Sequence, residues 1–205
     1  MAYVKMTNRA SGYAVQEADW DALQGNFDAL NDFFHVPLFP LSSGLAPASG
    51  LQAAAYSVVQ SSDAGTVKPE WPIIAFDKDT DEGRIWNGMI PRSYGVTAII
   101  SGQFYMPTVT SGTFLPSAQI ACWSDADATV TSKAFATVNN PAAITVPGTA
   151  VTIKAFTITL TNFDSGAAID SFSLAFWRDV SGDTAAEDVY LKRLDLFFAL
   201  TSTTV

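Results

Sequence analysis

From residue 72 onward, apolar and polar positions alternate in short runs separated by turn-forming residues. Eight runs can be traced, at about 73–77, 84–90, 96–106, 118–123, 134–138, 151–162, 171–178 and 189–200. Phe156, Ile158 and Leu160 fall on one face of such a run and Ala155, Thr157 and Thr159 on the other. Phe172, Leu174 and Phe176 likewise oppose Ser171, Ser173 and Ala175. This period of two is the signature of half-buried strands. Ser111-Gly112, Asn139-Asn140-Pro141, Pro147-Gly148, Ser165-Gly166 and Ser181-Gly182 supply turn chemistry between runs. Runs of this number and spacing predict an all-β domain over 73–205, an eight-stranded antiparallel jelly-roll sandwich. The last run slips phase: Val189 and Leu191 keep one parity, and Leu194, Leu196, Phe198 and Leu200 the other, across Lys192-Arg193. A β-bulge there would keep both halves on the core.

The N-terminal part carries a different period. Trp20, Leu23, Phe27, Leu30 and Phe34 are spaced 3, 4, 3, 4, with Glu17, Asp19, Asp21, Asp28 and Asp32 between them. That pattern predicts an amphipathic helix within residues 1–35, with a narrow apolar seam of about two heptads. So short a helix is marginal in water and needs something to dock on. The seam suits copies of itself, another protein, or the β domain of its own chain. Residues 36–72 contain Pro37, Pro40, Pro47, Pro69 and Pro72 and only three charges, Asp63, Lys68 and Glu70. Proline lacks a donor and restricts the residue before it, so this stretch reads as an extended arm packed on a body or a neighbour.

Composition narrows the functional classes. With 48% hydrophobic and 15% charged residues over 205 positions, the chain can bury a full core and is not a disordered protein. The net charge of −9, with 11 scattered Lys and Arg, argues against a nucleic-acid partner. The N-terminus lacks the apolar core of a secretory signal, and no apolar run approaches the ~20 residues of a membrane span. Assembly in a cytoplasm is expected. The single cysteine, Cys122, lies in an apolar run and is expected to be a buried, inert thiol.

The segment YAVQEADWDALQGNFDAL, residues 13–30, resembles the N-termini of tailed-bacteriophage virion proteins: Ala18-Asp19-Trp20, Leu23, Asn26 and Leu30 match their pattern, Asp21 stands for the usual Asn, and Gln16-Glu17 for Thr-Ala. The body also resembles a jelly-roll domain of phage structural proteins, through FDKDTDEGRIWNGMIP (residues 76–91), Tyr94-Gly95-Val96-Thr97, Phe176-Trp177-Arg178-Asp179 and Val189-Tyr190-Leu191. The resemblance implies a non-enzymatic virion structural protein: a homotrimer that decorates or cements the capsid or forms a spike, contacts the major capsid protein or other virion proteins, and is anchored by helix and arm. The alternative it leaves open is a host-recognition module of a tail fibre or spike that binds a surface glycan.

Candidate chemistry is sparse. His35 is the only histidine and has no ligand-spaced Cys or Glu, so it is expected at a helix end or interface. Asp77, Asp79, Asp81 and Glu82 begin like a calcium loop, but Glu82 stands where position 6 needs Gly, and Gly88 where position 12 needs Glu. A solvated acidic turn is expected instead, with no metal and no cofactor. Trp123 and Trp177 have the parity opposite to Cys122 and Phe176, which places them on an outer sheet face. There they would stack on sugar rings or fill a subunit interface.

Overall fold

The computed structural model describes residues 33–37, 44–62, 65–92, 94–108, 111–125, 127 and 130–200. Its strands are β1 (Phe33–Pro37), β2 (Gln52–Ala53), β3 (Ala55–Gln60), β4 (Glu70–Phe76), β5 (Glu82–Met89), β6 (Tyr94–Tyr105), β7 (Thr113–Phe114), β8 (Pro116–Trp123), β9 (Ile144–Thr145), β10 (Lys154–Thr159), β11 (Ser171–Arg178) and β12 (Val189–Leu200). Two sheets pack face to face. One has six strands, in the order β10-β6-β12-β4-β3 with β1 also on β12, and the other four, in the order β2-β5-β11-β8.

The main strands alternate between the sheets along the chain: β4 in the first, β5 in the second, β6 back in the first, β8 in the second, then β10, β11 and β12. That order is a jelly roll whose outermost strand beside β8 is irregular. The residues there are 134–138, which the sequence reads as a strand. They run along β8 without forming a ladder, held by Ala136 N donating to Ile120 O (2.9 Å) and by a two-way bridge between Ala118 and Asn139. Asn139 is buried and its side chain bonds Asn162, donating to the carbonyl at 3.1 Å and accepting from N–H at 2.9 Å. These single bonds replace a ladder, and Pro141 follows closely.

The period-two pattern places the core as expected. Phe156, Ile158, Leu160, Phe172, Leu174 and Phe176 are all buried. Two strand glycines make room for aromatics across the ladder. A Cβ on Gly102 would lie 2.2 Å from the Phe156 ring, and one on Gly88 2.7 Å from the Phe172 ring. In β12 the register slips between Leu191 and Arg193, and Val189, Leu191, Leu194, Leu196 and Phe198 are all fully buried. This is the bulge that the phase slip requires.

Two further sequence expectations change. Phe34 and His35 lie in β1, with backbone partners Phe198 and Phe197 of β12, so a helix does not run through them. The edge of β12 beyond β4 offers unpaired backbone groups, and pairing there outweighs the helical period of one seam residue. Trp20, Leu23, Phe27 and Leu30 lie outside the described residues. The β body also reaches back to Gln52, because β2 and β3 belong to the sheets rather than to an arm ending at 72. Arg84 fastens that stretch, donating from Nε to Ala54 O at 2.8 Å and from a terminal nitrogen to Gly44 O at 3.1 Å.

Candidate functional site

The outer face of the four-stranded sheet consists of side chains of one parity from β5, β11 and β8. Cross-strand register arranges them in rows: Met89, Ser171 and Trp123; Asn87, Ser173 and Ala121; Ile85, Ala175 and Gln119; Gly83, Trp177 and Ser117. Both sequence-predicted tryptophans therefore face outward, at opposite ends of one surface. Only one is accessible. Trp177 is 7% exposed, and Ser117 beside it is fully buried. A Cβ on Gly83 would lie 2.9 Å from Trp177 Cβ and 3.0 Å from Leu51 Cδ1, so the chain around Leu51 closes over this end. Trp177 is thus not available for stacking on a ligand.

Trp123 is half-buried and lies between two hollows that share it and Ser171. One, of about 320 Å³, is lined by Asn87, Gly88, Trp123, Ser171, Phe172 and Ser173. The other, of about 540 Å³, adds Ser124, Asp125, Ala168, Ile169 and Asp170. Trp123 lines both hollows, and its indole Nε1 is buried without a hydrogen-bond partner among the described residues. The Ser173 hydroxyl donates to Asn87 Oδ1, which leaves the Asn87 amide nitrogen as a free donor toward the first hollow. Asp170 accepts from Ala167 N–H through one oxygen, at 2.8 Å, and keeps the other.

The rim of the second hollow is held rigidly. Ile90 N–H donates to Asp170 O at 2.8 Å and Ile169 N–H to Ile90 O at 3.0 Å, which ties the 163–170 loop to the end of β5. Ile169 sits at φ 69° and is 56% exposed. A β-branched residue in the left-handed region costs about 1–3 kcal/mol and persists only where its surroundings impose it.

Beneath the groove, Cys122 points into the core. Burial pushes its thiol up to about 12, with Asp164 and Asp170 adding to the shift, so it stays protonated and unreactive near neutrality. Lys133 is pinned between Asp164 (3.2 Å) and Asp127 (3.6 Å), and the bond to Asp164 raises its pKa. The acidic turn at 77–82 is also committed to structure. Glu82 accepts from Asp77 N–H, Asp77 from Asp79 N–H and Asp81 from Val180 N–H, while Lys78 pairs with Asp79. Among the described residues no group of three or more His, Cys, Asp and Glu could hold a metal ion, and no helix is long and apolar enough to cross a membrane.

Parity in the sequence locates Trp123, Ser171 and Ser173 on this face. Asn87, Asp125, Ile169 and Asp170 join the site through strand register and the 163–170 loop, which no spacing along the chain announces.

No family model matches the chain, and no curated protein does. Among solved structures it is similar to a family 16 carbohydrate binding module-2 (17% identity, 70% of this chain and 85% of that one, TM-score 0.38). It is also similar to CBM27-1 of Caldicellulosiruptor saccharolyticus, solved in complex with mannohexaose (10%, 79% and 96%, TM-score 0.40). A third is the CBM22-1 xylan-binding domain of Paenibacillus barcinonensis Xyn10C (9%, 76% and 90%, TM-score 0.41). At these identities and TM-scores the likeness carries no inference about what this chain binds.

Proposed function

We propose that this chain is a non-catalytic recognition module that binds a glycan along the Trp123 groove. The carrying observation is the arrangement around that ring: an apolar aromatic surface between two open hollows, edged by an amide, hydroxyls and carboxylates on a rigid sheet. A sugar ring has the matching chemistry, with C–H faces that pack on an aromatic and hydroxyls that pair with fixed donors and acceptors. The polar groups that line the groove, Asn87, Ser124, Ser171, Ser173, Asp125 and Asp170, supply donors and acceptors for sugar hydroxyls. In the setting implied by residues 13–30 and the phage-like motifs, the module would serve host recognition on a tail fibre or spike, with the N-terminal segment as its attachment. That setting, the homotrimer and the capsid-decoration role have sequence resemblance as their support.

Screening the full chain on an array of neutral oligosaccharides, followed by calorimetry on hits, tests the reading. Trp123→Ala should lower affinity at least about tenfold while circular dichroism stays unchanged, because a central aromatic contact is commonly worth more than 1.4 kcal/mol. The absence of any glycan ligand, or binding that Trp123→Ala leaves intact, contradicts it.

A further inference from the structure

The charges around the groove go a step further than its shape. Asp125 and Asp170 both line the second hollow, and neither hollow has a lysine or arginine in its lining. Lys133, whose partner Asp164 accepts from Cys122 N–H next to Trp123, is committed to Asp127 and Asp164. Asp125 is exposed, and Asp170 keeps one carboxylate oxygen free of its bond to Ala167. The whole chain carries −9. An anionic sugar seated against Trp123 would meet two carboxylates and no lysine or arginine among the lining residues, whereas a neutral sugar would find acceptors for its hydroxyls.

Resting on the glycan reading above, we infer that the groove selects neutral glycans and rejects uronate-, sulfate- or sialate-bearing ones, with Asp125 and Asp170 as the discriminating residues. Repulsion between carboxylates about 5 Å apart, partly screened by water and salt, corresponds to roughly a tenfold loss of affinity at ~0.15 M ionic strength, and fades as the Debye length shrinks toward about 3 Å at ~1 M. The selectivity is therefore salt-dependent, while contact with the Trp123 ring is not.

The test uses matched polymers: galactan against polygalacturonate and dextran against carboxymethyl-dextran, with the full chain and with chelator present so that no divalent cation bridges the carboxylates. The neutral member of a pair should bind about tenfold tighter at ~0.15 M salt. That ratio should approach one at ~1 M salt and fall severalfold in Asp125→Asn; Asp170→Asn provides a second, independent variant. If both members bind equally, or the acidic one binds tighter, in a Trp123-dependent manner, the selectivity is refuted while the groove stands. If no neutral or acidic glycan binds, the glycan reading itself falls and takes the selectivity with it.

Discussion

Trp123 and Trp177 occupy adjacent strands of one sheet, share the outward parity and differ in what lies over them. At the Trp177 end the next residue, Arg178, points inward and is fully buried. It donates two bonds to Asp183, each at 2.9 Å, and one each to the carbonyls of Glu187 and Ala185 at 2.7 Å. Those bonds fold residues 178–187 back on themselves, and Leu51 lies close to Gly83 on the outer face. At the Trp123 end the 163–170 loop is tied beside the ring instead of over it, and two hollows remain. One end of the surface has become core, the other a groove. Side-chain parity therefore decides which face a residue takes, and the connecting segments decide whether that face is solvent, core or site.

The contrast predicts opposite responses to substitution. The largest effects belong to the closed end. Arg178→Ala would leave the buried Asp183 carboxylate without its partner and should destabilise the fold by about 3–5 kcal/mol in urea denaturation. Trp177→Ala should cost a similar amount, about 3–5 kcal/mol, through the cavity it leaves. Where such variants stay folded, their glycan affinity should match that of the unaltered chain.

Beneath the open end, Cys122 should reveal itself at alkaline pH. Its thiol ionises near 9.0 ordinarily and at about 12 in the fold, so between those values the folded state holds a proton that the unfolded chain has lost. Its contribution to stability is full below pH 9 and is lost as pH rises through that window, by about 1.4 kcal/mol per pH unit. Denaturation of the unaltered chain and of Cys122→Ala from pH 8 to 11 should show the difference between them changing with that sign. A constant difference would mean that the thiol is not desolvated.

Smaller effects mark the groove surface. Trp123→Ala should lower stability by only about 1 kcal/mol, since the ring is half-buried, while abolishing most binding. Ile169→Asn, which places a residue tolerant of the left-handed region at φ 69°, should raise the melting temperature slightly by relieving strain. Its effect on glycan affinity should be a modest loss, from the missing apolar rim.

Much of this was legible in the chain. The alternation at 154–160 and 171–176, the bulge in β12 and the outward parity of Trp123 follow from local periodicity that tertiary packing reinforces. What escaped has non-local causes. Residues 52–60 look like a Pro-, Ser- and Ala-rich arm, and become strands because β4 and β5 offer backbone to pair with. Ala134–Val138 has strand-like patterning, but its bonds to β8 and the buried Asn139 side chain fix an irregular path. Phe34 continues a helical spacing, yet pairs with Phe198. Leu51 comes up to Gly83 beside Trp177 from more than 120 residues earlier in the chain, and no local pattern encodes that encounter.

The most direct test is a titration of the 15N-labelled chain with a neutral oligosaccharide, following the five tryptophan indole resonances assigned by single substitutions. The account predicts that the Trp123 indole shifts saturably and that the Trp177 indole, buried at the closed end of the same face, does not move. A shift confined to Trp177, or saturable binding that leaves Trp123 unperturbed, would contradict it.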